Sequence, residues 1–210
     1  MEKTESAAAK VCIFGGSFNP PHVGHVLAAK RFYNTTDPDL FIVIPSFIAP
    51  HKEICEIGAN HRLEMSKRAF KDVGKNVEVS DMEIARGGKS YTFLTVTEIA
   101  DKYPNCKICL FVGSDMLMSF DTWYRAENLF SMCHLYVMPR YDDRSILMKK
   151  ADEYREKYNA DITFIDGEFY EISSTSLRKA MNDNREEYLK KHLPGDVYGY
   201  IKQHNLYGKE

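Results

Sequence analysis

Apolar residues in this chain come in short, nearly unbroken runs, separated by longer stretches in which apolar and polar positions recur at helical spacing. The runs are Lys10–Phe14, Leu40–Ile44, Val77–Ile84, Ile108–Val112, Leu135–Met138 and Ile162–Ile165. They predict strands buried on both faces, because a strand with one face in water would alternate apolar and polar residues. The stretches Val23–Tyr33, His61–Val73, Tyr91–Tyr103, Thr122–Phe130 and Ser145–Tyr158 predict amphipathic helices. Buried strands alternating with helices predict an α/β fold: a doubly wound, mostly parallel, Rossmann-like sheet with helices on both faces. From Ser173 onward the pattern predicts a short helical tail, with Ser173, Ser174 or Thr175 as the first N-cap. Pro194-Gly195 interrupts that tail before a last helix ending near Gln203. No repeat, low-complexity tract or linker interrupts the pattern, so residues 10–206 are expected to form one domain after a frayed lead-in at 1–9.

Composition narrows the functional classes. With 28 Lys and Arg against 30 Asp and Glu, the formal charge of −2 argues against a broad basic surface for nucleic acid. No run approaches the roughly 20 apolar residues of a membrane span, and the polar N-terminus lacks the apolar core of a signal peptide. A cytoplasmic protein with neither nucleic acid nor membrane as partner is expected; homo-oligomer formation is left open. Five cysteines at positions 12, 55, 106, 109 and 133 are an odd, scattered set, read as free thiols in a reducing compartment. Cys106 and Cys109 form a C-x-x-C, yet Cys109 lies inside the apolar run Ile108–Val112 and no second pair completes a zinc set.

In doubly wound sheets ligands lie beyond the carboxyl ends of the strands, where strand order reverses. The residues leaving the first run are Gly15-Gly16-Ser17-Phe18-Asn19-Pro20-Pro21-His22-Val23-Gly24-His25. Two glycines allow a positive φ and close backbone approach to a ligand. His22 and His25, spaced i and i+3, share one face of the first helical turn, with Gly24 between them leaving that face open. The free N–H groups and partial positive charge of the helix N-terminus suit a phosphate, and two imidazoles there can donate to phosphate oxygens. The segment is neither a Walker A loop nor the G-x-G-x-x-G of dinucleotide dehydrogenases. A second constellation, Ile172-Ser173-Ser174-Thr175-Ser176-Leu177-Arg178, offers hydroxyls at a helix start and a planar guanidinium one turn later.

G-G-S-F-N-P-P-H-x-G-H resembles the signature of the nucleotidyltransferases that share H-x-G-H with class I aminoacyl-tRNA synthetases, and the full string is most similar to the bacterial nicotinate-nucleotide adenylyltransferase family. I-S-S-T-x-L-R resembles that family's C-terminal ATP-phosphate motif. P-x-H-K, S-Y-T, G-x-D and S-F-x-x-W follow in the family's order, so the resemblance runs from about Val11 to Ile201. It implies transfer of AMP from ATP to nicotinate mononucleotide, with His22, His25 and Arg178 catalytic. It further implies that ATP meets Gly15, Gly16, Ser17, Phe18, Gly113, Asp115, Ser173, Ser174 and Thr175, and that the mononucleotide meets Asn19, Lys52, Tyr91, Thr92, Trp123 and Arg140. In that reading Trp123, at the start of a helix, stacks on the pyridine ring. No carboxylate cluster offers a dedicated metal site, so Mg²⁺ is expected to arrive with ATP, held by phosphates and water. The alternatives are the same chemistry on nicotinamide mononucleotide, another phosphorylated acceptor such as pantetheine-phosphate or glycerol-phosphate, and a non-catalytic nucleotide sensor.

Overall fold

All six apolar runs contribute a strand to one parallel sheet. In this computed structural model, which describes residues 9–50, 57–139, 144–167 and 170–208, the strands are β1 (Lys10–Gly16), β2 (Leu40–Pro45), β3 (Val77–Val79), β4 (Lys107–Gly113), β5 (Cys133–Met138) and β6 (Asp161–Phe164). The helices are α1 (Val23–Thr36), α2 (Ala59–Phe70), α3 (Met82–Arg86), α4 (Thr92–Lys102), α5 (Ser114–Leu117), α6 (Ala126–Met132), α7 (Arg144–Tyr158), α8 (Ser174–Asn182), α9 (Glu186–His192) and α10 (Gly195–Gln203). Strand order is β3-β2-β1-β4-β5-β6, and every neighbouring pair is parallel. The doubly wound architecture expected from the sequence is therefore present. The chain runs outward from β1 to β3, then returns to β4 on the other side of β1, which puts the topological switch point between β1 and β4.

Side chains alternate across the sheet with period two. Val11 and Ile13 of β1 join Ile42, Leu110 and Val137 on one face, where they meet Val96 and Ile99 of α4, Leu129 of α6 and Leu147 of α7. Cys12 and Phe14 join Phe41, Val43 and Cys109 on the other, against Phe32 of α1, Met65 and Phe70 of α2, and Leu177, Val197 and Ile201 of the tail. Each fully buried side chain of this size is worth about 1.5–3 kcal/mol relative to exposure. The tail helices thus cover the same sheet face as α1 and α2, and that placement brings α8 beside α1. Cys12, Cys106, Cys109 and Cys133 are free thiols. Burial pushes Cys133 up to about 12, which keeps it protonated and unreactive. Cys55 lies outside the described residues.

Two expected elements are divided. The run Val77–Ile84 is strand only to Val79; Ser80 Oγ then accepts the Met82 N–H at 3.3 Å and α3 begins. A short polar side chain that bonds local backbone competes with the ladder and ends an edge strand. The helix expected over Thr122–Phe130 is instead a 3₁₀ turn at Phe120–Thr122, an extended Trp123, and α6 starting only at Ala126. Arg125, left-handed at φ 59°, makes the break. The buried Tyr154 hydroxyl of α7 holds the turn, donating to Leu117 O at 3.0 Å and accepting the Asp121 N–H at 3.3 Å. No helix among the described residues is long and apolar enough to cross a membrane.

Candidate active site

The loop after β1 is shaped by one aromatic ring. Both glycines belong to β1, and the left-handed residue is Phe18, at φ 45°, rather than either glycine as the sequence suggested. A Cβ on Gly16 would lie 2.7 Å from Phe18 Cε1, so Gly16 leaves room for the ring to fold under the loop. Phe18 is 2% exposed, 5.1 Å from the Phe70 ring and edge-on to His25 at 5.2 Å. Its side chain is thus a core residue supporting His25 from below, and Phe18 does not line the cavity described below, whereas the sequence reading placed it against ATP. The Asn19-Pro20 peptide that follows is cis.

His22 and His25 cap each other. His22, the N-cap of α1, accepts the His25 N–H on Nδ1 at 3.2 Å, and His25 Nδ1 accepts the His22 N–H at 3.3 Å. The rings stack at 3.6 Å with 20° between their planes. An Nδ1 that accepts cannot carry the proton, so each ring holds it on Nε2 and has Nε2–H as its donor. Gly24 lines the cavity, in keeping with the open face expected, and is also closely packed: a Cβ there would lie 2.8 Å from Ile172 Cγ2 and 3.1 Å from His22 Nδ1. The first turn of α1 is packed directly against the segment leading into α8.

Of the three candidate caps, Ser173 takes the position, accepting the Ser176 N–H at 3.0 Å while Ser176 Oγ accepts the Ser173 N–H at 3.3 Å. The flanking residues reach across to the loop after β1. Ser174 Oγ donates to Pro20 O at 2.8 Å, and Arg178 Nη1 donates to Asn19 O at 2.7 Å while Nη2 bonds Thr175 Oγ1 at 3.1 Å. Between the two helix N-termini lies a cavity of about 560 Å³. Ser17, Asn19, His22 and His25 line it from the first motif, Gly113 and Asp115 from the end of β4, and Ser173, Ser174, Thr175 and Arg178 from α8. It sits at the carboxyl ends of β1 and β4, where the switch-point rule places a ligand. A Cβ on Gly113 would lie 2.8 Å from Asp115 Oδ1, so glycine lets that carboxylate fold back over the strand end.

The structure does not bring the whole expected set together. Tyr91 and Thr92 open α4, and Trp123 packs on Phe120 at 4.6 Å; none of the three lines the cavity. Trp123 does not begin a helix, and its ring is partly buried against the core of that sheet face. Gly15 and Gly16 do not line the cavity either. Lys52 and Arg140 lie outside the described residues. Two contributors went unnoticed in the sequence. Arg62, 1% exposed, donates from Nη1 to Ser17 O at 2.9 Å and Ser46 O at 2.6 Å, and from Nη2 to Phe47 O at 2.9 Å, joining the loops after β1 and β2. Its signal was present: it shares the buried stripe of α2 with Met65 and Ala69, where a charge needs a reason. Tyr207, from the chain's last described turn, also lines the cavity.

A parallel sheet in this strand order carries paired histidines and an arginine-bearing helix start at its switch point. The cytidylyltransferase-like family model matches residues 13–180, and the chain belongs to that family. At the level of whole sequences it is 34% identical over 203 residues to the probable nicotinate-nucleotide adenylyltransferase of Carboxydothermus hydrogenoformans, spanning 96% of this chain and 99% of that protein. It is 32% identical over 199 residues to the corresponding protein of Oceanobacillus iheyensis, spanning 95% and 97%. In fold it matches Plasmodium falciparum nicotinic acid mononucleotide adenylyltransferase, solved with NaAD, at a TM-score of 0.75 and 21% identity over 95% of this chain and 97% of that one.

Proposed function

We propose that this enzyme transfers the adenylyl group of ATP to nicotinate mononucleotide, releasing pyrophosphate and forming deamido-NAD. The observation that carries the ATP half is the convergence of two helix N-termini, His22, His25 and Arg178 on one cavity at the switch point. The acceptor half is supported by relatives named for that activity along nearly the whole chain.

The mononucleotide's 5′-phosphate attacks the α-phosphorus of ATP in line, and pyrophosphate departs. A phosphate nucleophile is ionised at neutral pH, so no general base is needed and catalysis comes from positioning and charge stabilisation. His22 and His25 donate from Nε2 to phosphate oxygens as negative charge moves toward the leaving group. Arg178 has five N–H donors; those not held by Asn19 and Thr175 face the triphosphate, together with the N–H groups and hydroxyls of Ser173, Ser174 and Thr175. Ser17, Gly113 and Asp115 complete the ATP side, and Asn19 is given to the mononucleotide; for Lys52, Tyr91, Thr92, Trp123 and Arg140 that role rests on the family resemblance and not on the lining of this cavity. Among the described residues no group of three or more His, Cys, Asp or Glu could hold a metal, and Asp115 is the one carboxylate lining the cavity. That donor set fits a Mg²⁺ brought by ATP and held by phosphates and water, with Asp115 alongside, to neutralise leaving-group charge.

The test is pyrophosphate release from ATP and Mg²⁺ with nicotinate mononucleotide, set beside nicotinamide mononucleotide. Preference for the acid is expected. Turnover of the amide alone would overturn the acceptor, and no release with either would remove the reaction.

A further inference from the structure

We propose that Tyr207 is a positioning residue of this site: its hydroxyl sets the orientation of the Asn19 amide so that Nδ2 faces the cavity as a donor to an anionic oxygen of the bound nucleotide. The inference rests on the reading of the cavity as the adenylyl-transfer site.

The backbone shows how a residue from the end of the chain gets there. α10 ends in a Schellman turn, in which the Leu206 N–H bonds Ile201 O at 3.0 Å and the Asn205 N–H bonds Lys202 O at 3.3 Å. Asn205 takes the left-handed conformation that this cap requires, at φ 50°. Tyr207 is then left-handed as well, at φ 62°. A bulky residue there is an outlier, and such strain persists only where surrounding contacts over-determine it. One contact is packing, since Leu206 and Tyr207 lie against the core beneath α1 and α8. Another is the Tyr207 hydroxyl, which donates to Asn19 Oδ1 at 2.6 Å across 188 residues of sequence.

Asn19 is therefore held at two points. Its carbonyl accepts Arg178 Nη1 at 2.7 Å and its side-chain oxygen accepts Tyr207. With Oδ1 engaged, the amide atom left to serve the cavity that Asn19 lines is Nδ2, which carries two donors and no acceptor. A donor at that point favours phosphate or carboxylate oxygen. A free amide could present either end, and the hydroxyl removes the choice in advance of binding.

The test is a double-mutant cycle on the full chain, with Tyr207→Phe, Asn19→Ala and the pair. The readouts are kcat/KM and the separate Kd values for ATP and nicotinate mononucleotide. Tyr207→Phe should lower kcat/KM about tenfold and should cost nothing further once Asn19 is alanine, because the hydroxyl acts through that side chain. Which of the two Kd values rises identifies the nucleotide whose oxygen is bound. Asn19→Asp, which keeps an acceptor for Tyr207 but turns the cavity-facing atom into oxygen, should weaken the same nucleotide at least tenfold. Wild-type behaviour of Tyr207→Phe, an equal loss on the Asn19→Ala background, or undiminished binding by Asn19→Asp would each overturn the proposal. A ligand-free readout separates it from the reaction itself: the Asn19 side-chain NH₂ signals in NMR should move in Tyr207→Phe even if the wild-type chain released no pyrophosphate. Unmoved signals would overturn the positioning role alone.

Discussion

At the residue scale, His22 and His25 combine three tasks usually given to different groups. They cap α1, they stack, and through their mutual Nδ1 bonds they fix Nε2 as the nitrogen that can donate. The arrangement separates catalysis from folding. In His25→Ala the His22 Nδ1 still has a backbone N–H to accept, so only one capping bond is lost, about 1 kcal/mol or less. We expect kcat to fall more than tenfold while circular dichroism and the melting profile stay close to wild type, since the donor matters most in the transition state. Full activity in that variant would remove the proposed role. The two histidines were legible because their chemistry and spacing are local. For Arg62 the sequence carried only the hint of a charge on the apolar stripe of α2; its role shows once the carbonyls of Ser17, Ser46 and Phe47 surround it. The burial of the Phe18 ring was hidden for a like reason, because Phe70, on which it packs, is distant in sequence.

At the scale of elements, the site is a contact between the first turns of α1 and α8, and Gly24 sets their separation. Gly24→Ala would put a methyl 2.8 Å from Ile172 Cγ2, an overpacking that typically costs about 1–3 kcal/mol. We expect a lower melting temperature together with a reduced kcat/KM, because the Ser173–Arg178 segment would shift relative to the histidines. Ile172→Ala on the Gly24→Ala background should recover part of both. If the double variant recovers neither, the contact does not set the geometry. Helix starts and strand runs were readable because caps and periodicity are near-neighbour effects; Ser173 was among three candidates and tertiary packing selected it. The segment around Trp123 was read as one helix because its apolar spacing is helical. The Tyr154 hydroxyl, delivered from α7, holds the 3₁₀ turn instead.

At the scale of the whole molecule, the order β3-β2-β1-β4-β5-β6 makes a crevice where β1 and β4 diverge, and the tail helices close it by docking on the face that also carries α1 and α2. A ligand that bridges α1, the end of β4 and α8 ties together segments from both ends of the chain, so binding should stabilise the whole fold. At a hundred times its Kd, ATP should add about 2.7 kcal/mol, raising the melting temperature by several degrees at roughly 2–4 °C per kcal/mol for a chain of this size. Arg178→Ala, measured at the same ATP concentration, should lose most of that increment. An unchanged midpoint with saturating ATP would mean that the cavity is not the nucleotide site.

What this sequence determined unaided is whatever depends on residues close together in the chain: six apolar runs, the helices between them, the parallel doubly wound class they imply, and two polar helix starts. What only the tertiary structure decided is how those starts meet. Gly24 against Ile172, Arg178 on Asn19, Arg62 under two loops and Tyr207 on Asn19 are contacts between residues far apart in sequence. Local propensity carries no information about such pairs. They form as the tail packs on the sheet face that also carries α1 and α2, and that packing turns two separate motifs into one site.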